Sequence, residues 1–210
     1  MAGVLERLNE GLAAAAARAR AGLVAVGNGH GGQGAGVIWS ADGIILTNAH
    51  VVRGRPARVL LPDGRTLEAA LLARHADHDL AVLRVDADGL PTITPGDSRA
   101  VRPGQIVMAL GHPWGVFGAA TAGVVIGAGA ALPENPLPGR EWLAVSLHYR
   151  PGHSGGPLVD VQGRVIGLNT IMTGPDVGLA VPVHVAEELL AALGAVPPAR
   201  AHPQDAAVVV

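Results

Sequence analysis

The chain has 210 residues, a formal net charge of -2, 49% hydrophobic and 15% charged residues, a balance that excludes both a disordered segment and a polyelectrolyte. Its 15 Lys+Arg against 17 Asp+Glu, with three Trp, one Tyr and one Phe, offer neither the basic field nor the stacking rings of a nucleic-acid binder. The absence of Cys excludes disulfides, thiolate metal sites and a cysteine nucleophile.

Residues 1–21 read as an N-terminal amphipathic helix. Leu5, Leu8 and Leu12 share a face, the run Ala13 to Ala17 follows, and Arg18 and Arg20 end the apolar stretch. Glu6 and Glu10 come first, whereas an export signal begins with positive charge; the expectation is a chain without a signal peptide, in the cytoplasm. From Leu23 the pattern becomes short β-type runs: Leu23 to Val26, Gly36 to Trp39, Ile44 to Leu46, Ala57 to Leu61, Thr66 to Leu72 and Leu80 to Val85. The breaks Asp42-Gly43 and Pro62-Asp63-Gly64 have hairpin chemistry, and Gly27 to Gly32 reads as a flexible glycine-rich loop.

A Pro, Gly and Asp cluster from Pro91 to Gly104 separates a second series: Ile106 to Leu110, Ala119 to Ile126, Leu143 to Ser146, Leu158 to Val161, Arg164 to Asn169 and Gly178 to Val181. The run from Pro103 to Pro133 carries no Asp, Glu, Lys or Arg, so a membrane span has to be weighed. Repeated glycines and Pro113 interrupt it, and its apolar pieces are strand-length and β-branched; buried strands are expected, with no membrane span. His184 to Leu193 reads as a helix ended by Pro197-Pro198, with a loose tail. Two all-β halves, 22–95 and 96–183, with 184–210 as helix and tail, are the expected organisation.

The segment Pro151-Gly152-His153-Ser154-Gly155-Gly156-Pro157-Leu158 places a serine among glycines just before an apolar strand. A serine hydroxyl needs a base within reach and donors aimed at the oxygen that becomes negative in acyl transfer. The N–H groups of Gly152 and Ser154 are the expected oxyanion-hole donors. His50, just past Ile44 to Leu46, is the expected base, and Asp79, at the mouth of Leu80 to Val85, the acid that orients it. The chain order His, Asp, Ser accompanies chymotrypsin-type β-barrels, not α/β-hydrolases or subtilisins.

Ile45 to Val51, Asp79 to Leu83 and Gly152 to Leu158 resemble the trypsin-like serine proteases of the HtrA (Deg) family. Gly34 to Ile38, Gly111-His112-Pro113-Trp114-Gly115, Thr121 to Val125, Val165 to Thr170 and Gly178 to Pro182 support the resemblance, which extends from Gly34 to Pro182. It implies two six-stranded antiparallel β-barrels with short terminal helices, and a site between them formed by His50 and Asp79 from the first and Ser154 from the second. It implies a serine endopeptidase acting on polypeptides, with no cofactor and no metal. His75 and His78 lie near Asp79 in sequence, but no zinc-binding pattern accompanies them.

Three departures modify those expectations. His153 stands where the family most often has Asn, and there is neither an Asp nor an activation-site sequence, so activity is expected without N-terminal processing. Too few residues follow Val183 for the family's PDZ domain, so a protease domain alone is expected; the trimer the resemblance implies lacks its usual N-terminal aromatics. The resemblance puts His148 and Tyr149 on the wall and floor of the pocket for the residue before the scissile bond, with Arg150, Leu168, Asn169 and Thr170 around it. With no carboxylate in that stretch, a small or medium aliphatic residue is expected and a basic one is not. The competing readings are a catalytically silent relative that binds unfolded peptides, and a lipase or esterase, whose usual fold the chain order opposes.

Overall fold

The computed structural model describes residues 3–27, 33–52, 57–132 and 139–194. Of the glycine-rich loop expected at 27–32, Gly27 ends a strand and 28–32 lie outside the described residues, as does the end of the chain from 195 on.

Helix α1 (Val4–Ala21) precedes six strands, β1 (Leu23–Gly27), β2 (Gln33–Ile38), β3 (Ile44–Asn48), β4 (Ala57–Leu60), β5 (Thr66–His75) and β6 (Leu80–Val85). They close into a barrel in the order β1-β2-β3-β6-β5-β4. A 3-10 turn at Ser98–Ala100 leads to β7 (Ile106–Gly111), β8 (Ala119–Gly129), β9 (Trp142–Ser146), β10 (Pro157–Val159), β11 (Val165–Gly174), β12 (Val177–Pro182) and helix α2 (Val183–Ala192). The second barrel runs β7-β8-β9-β12-β11-β10, the same topology as the first, and all pairings within both are antiparallel. The expected all-β class with two six-stranded barrels and two helices is what the chain adopts.

Hairpin chemistry and packing explain the closure. Gly43 takes φ 98 in the β2–β3 connection, where a Cβ would collide with the Val85 carbonyl oxygen, so only glycine lets β3 lie against β6 there. Val24, Val26, Ile45, Val59, Leu83 and Val85 fill the first barrel, and Val107, Ala109, Val125, Leu143, Val145 and Leu158 the second. A third layer joins the barrels: Leu46, Leu80 and Val82 meet Met108, Leu110, Leu168 and Val181. Burying one such side chain fully is worth about 1.5–3 kcal/mol, so this seam holds the two halves of the cleft in register.

The α1 face differs from expectation. Leu5 is 79% and Leu8 43% exposed, and the packed face is Ala15, Ala16 and Ala19 with Leu12 at its margin. Small residues let the helix approach closely: Gly163 has room for no Cβ beside the Ala15 carbonyl, and Arg18 Nε donates to the Gln162 carbonyl at 3.0 Å.

Candidate active site

Strand β3 is buried along its whole length and delivers His50 two residues past its end. There the chain is pinned to the entry of β6: the Ala49 N–H donates to the Asp79 carbonyl at 3.0 Å, and the His50 N–H to Asp79 Oδ1 at 2.9 Å. His50 Nδ1 lies 2.6 Å from Asp79 Oδ2. A carboxylate accepts only, so Nδ1 carries the proton and Nε2 keeps its lone pair for a substrate-side proton. Asp79 takes φ 50, left-handed backbone that Asp tolerates better than most residues. The strained turn aims both of its oxygens at one residue.

The serine arrives on a loop shaped by its glycines. The His153 N–H donates to the Arg150 carbonyl at 3.0 Å, closing a turn with Pro151 and Gly152 at its centre. Gly152 has φ 107, the left-handed third position of a type II turn. A Cβ on it would stand 2.6 Å from the His112 carbonyl oxygen, and its own carbonyl accepts the His112 N–H at 2.8 Å. Among the described residues neither the Gly152 N–H nor the Ser154 N–H has an acceptor. The Ser154 carbonyl accepts from Ala35 N–H of β2 at 2.8 Å, which ties the loop to the first barrel.

Ser154 Oγ donates to the Thr170 carbonyl at 3.3 Å, a long bond, and among the described residues it makes none to His50. Thr170 connects the groups indirectly. Its Oγ1 accepts from Asn48 Nδ2 at 3.1 Å, and the same amide donates to the Asp79 carbonyl at 3.1 Å. His50 and Asp79 are thus in direct contact, and Ser154 joins them through Thr170 and Asn48.

The expected pocket residues divide. Tyr149 is buried, its ring packed on Gly178, its N–H 3.2 Å from Met172 Sδ and its hydroxyl without a partner among the described residues; burial drives the phenol far above its ordinary range. His148 is exposed, 2.7 Å from the Pro175 carbonyl, and the Asp176 carboxylate lies 4.0 Å away. Leu168 points into the seam between the barrels, and Asn169 Nδ2 donates to the Leu110 and Pro157 carbonyls at 3.1 Å each. Arg150 turns outward over Trp114. The side chains of Leu168, Asn169 and Arg150 therefore have other uses; Thr170 is bonded to Ser154 through its carbonyl, and Met172 lies against the Tyr149 N–H.

Two buried imidazoles beside the turn went unassigned in the sequence. His112 Nε2 lies 2.9 Å from the Val24 carbonyl, and Nδ1 accepts the Gly118 N–H at 3.2 Å. That fixes a neutral tautomer and links the second barrel to β1. His153 Nδ1 accepts the Arg150 N–H at 3.0 Å, while its Nε2 is buried without a partner among the described residues. Burial holds both imidazoles below the ordinary histidine range; bonds to the Val24 and Arg150 carbonyls oppose it, and for His153 the nearby His112 and Arg150 charges add to the depression. The signal for His112 was present as a polar residue among apolar ones between Gly111 and Pro113. Asn48, a fully buried amide at a strand end, was legible in the same way.

Elsewhere, His75 and His78 bring ring nitrogens to 3.3 Å, but no third ligand converges among the described residues. A cavity of about 450 Å³ lined by Asp97, Val101, Ile106, Asp160, Arg164 and Ile166 includes none of the candidate site residues. No described helix is long and apolar enough to cross a membrane.

Residues 34–168 match the trypsin-like peptidase domain family. A "Probable periplasmic serine endoprotease DegP-like" of Halomonas elongata is 41% identical over 162 residues, 74% of this chain and 34% of its own length. The mitochondrial serine protease HTRA2 of Bos taurus is 38% identical over 161 residues, 75% of this chain and 35% of its own. The structure of the HtrA-type protease AlgW with a tripeptide matches with a TM-score of 0.80 at 33% identity, covering 87% of this chain and 63% of that one. A serine endoprotease from Yersinia pestis gives 0.77 at 32%, covering 87% and 66%. The chain spans about a third of the length of these curated relatives.

Proposed function

Because the chain belongs to the trypsin-like peptidase family, and within it to the HtrA type, we propose that it hydrolyses polypeptides as a serine endopeptidase. The observation that carries this reading is the His50–Asp79 pair, 2.6 Å between Nδ1 and Oδ2, with the same carboxylate also held by the His50 peptide N–H. In the proposed cycle Ser154 Oγ turns from the Thr170 carbonyl and attacks the substrate carbonyl carbon. His50 Nε2 takes its proton, and the carbonyl oxygen becomes an oxyanion that accepts from the Gly152 and Ser154 N–H groups. Each such donor is worth on the order of 3 kcal/mol in the transition state. His50 then protonates the departing amine, the C–N bond breaks, and water, deprotonated by His50, releases the acyl group and restores the serine. Asp79 holds the tautomer and stabilises the imidazolium. A neutral imidazole is required, so the rate falls in acid.

For the acyl half of the substrate we propose a pocket bounded by Tyr149, Thr170 and Met172. The buried Tyr149 ring limits its depth and favours small or medium aliphatic residues, while Asp176 beside His148 lies at its outer margin. Asp79→Asn tests the reading: digestion of an unfolded protein should slow about 10⁴-fold, because the amide no longer selects the tautomer that leaves Nε2 free. An unchanged rate would remove His50–Asp79 from the mechanism.

A second reading, binding of peptides without cleavage, draws on one observation, the Ser154 hydroxyl bonded to Thr170 and not to His50. Oligomeric state and compartment belong to the same proposal. Light scattering reads the oligomeric state directly. The periplasmic name of the DegP-like relative weighs against the cytoplasmic expectation, and cell fractionation decides it.

A further inference from the structure

The loop after β7 carries a combination that its own contacts do not explain. Trp114 is 74% exposed and sits in left-handed backbone at φ 55, where bulky L-residues are rare and strained. Val116 and Phe117 beside it are 55% and 40% exposed. Exposed apolar side chains grouped in one short loop mark an interaction site more readily than ones scattered singly, and this chain has few aromatics to spare.

Its location relative to Ser154 follows from contacts already described. The His112 carbonyl and the Pro113 nitrogen press on Gly152, so Trp114 begins one residue from the turn with the two free N–H groups. The Arg150 guanidinium lies 4.9 Å over the Trp114 ring, and the Phe117 ring packs 4.4 Å from His112. On its other flank the serine loop faces β11, through Ser154 Oγ to the Thr170 carbonyl and Tyr149 N–H to Met172 Sδ. A polypeptide whose reacting carbonyl lies at Gly152 and Ser154 thus has β11 on one side and the 112–117 loop on the other. This inference rests on the peptidase reading above, in which the acyl half occupies the Tyr149, Thr170 and Met172 side. The leaving half then crosses the loop.

We propose that Trp114, Val116 and Phe117 form a binding ledge for the leaving half of the substrate. It takes a large aliphatic or aromatic side chain one or two residues after the scissile bond. The ring of Trp114, steadied by Arg150 from the oxyanion turn, supplies the face against which that side chain packs, and its tie to the turn makes occupancy of the ledge continuous with occupancy of the site.

The test is digestion of a complex mixture of denatured peptides by the parent and by Trp114→Gly, with every cleavage site sequenced by mass spectrometry. Glycine accepts the positive φ, so the variant removes the ring while relieving the backbone. The parent should enrich large apolar residues at the first two positions after the cut. The variant should lose about 2- to 10-fold of that enrichment, the worth of one aromatic packing contact, and keep the preference before the cut. No enrichment in the parent, or equal enrichment in both, overturns the ledge. A parent that dimerises through this surface, with a monomeric variant and unchanged preferences, overturns it in favour of a second copy as occupant. Fluorophosphonate labelling of both proteins separates this failure from that of the peptidase reading, since absence of any adduct at Ser154 sinks both.

Discussion

Gly152 shows how narrow the chemistry is at a single residue. Its φ of 107 and the 2.6 Å approach of the His112 carbonyl to any Cβ leave no room for an L side chain. Gly152→Ala should therefore turn the loop and withdraw one oxyanion donor, slowing acylation by about 10²- to 10³-fold and lowering thermal stability, since the added Cβ meets the His112 backbone; acylation at the parent rate would contradict the assignment. His153 makes a different prediction. Its burial disfavours the charged form in the folded state, as it does for His112 and, with help from the neighbouring His75 charge, for His78. Between those depressed values and the ordinary 6.5 the unfolded chain binds more protons, so stability is complete above about pH 6.5 and is lost as pH falls through that value towards the folded ones. The melting temperature should drop from pH 7 to 5, and His153→Asn should flatten the slope by up to one proton. A variant with the parent's slope would show that His153 binds its proton equally in the folded and unfolded chains, against the depression its burial implies.

Among the elements, α2 starts without a side-chain cap of its own, since Pro182 occupies that position. Ser98, far away in sequence, takes over: its Oγ accepts the His184 N–H at 3.2 Å and lies 2.8 Å from His184 Nδ1, while Nε2 faces Glu141 Oε2 at 3.2 Å. Ser98→Ala should cost about 1–2 kcal/mol in a denaturant titration, with cleavage rates little changed; a neutral substitution would show the clamp to be ornamental. Contacts of this kind explain which elements were legible. The strand runs were, because β-branched residues between glycine-rich turns have few other solutions. Their ends were not: β8 reaches Gly129 and β11 reaches Gly174, beyond their most apolar stretches, because pairing with β9 and β12 extends the ladder over residues that nothing local marks as strand. The buried side of α1 was misjudged for the same reason. Leucines are the stronger local signal, but the neighbouring barrel accepts the alanines, whose size permits close approach.

At the scale of the whole molecule, the two barrels repeat one topology without repeating a sequence, and the cleft exists because the seam around Leu46, Leu110 and Leu168 fixes them against each other. The chain order of His50, Asp79 and Ser154 could be read directly. The bridge from Asn48 to Thr170 and the link from His112 to Val24 could not, since they span 122 and 88 residues and depend on how the barrels dock. In the proposed mechanism this docking activates one serine. Intact-mass labelling with a fluorophosphonate at neutral pH, on the parent, Ser154→Ala and His50→Ala, reads that activation without a substrate. A single adduct is expected on the parent and none on either variant. An adduct that persists in His50→Ala at the parent rate, or a folded parent that takes up none, would contradict it.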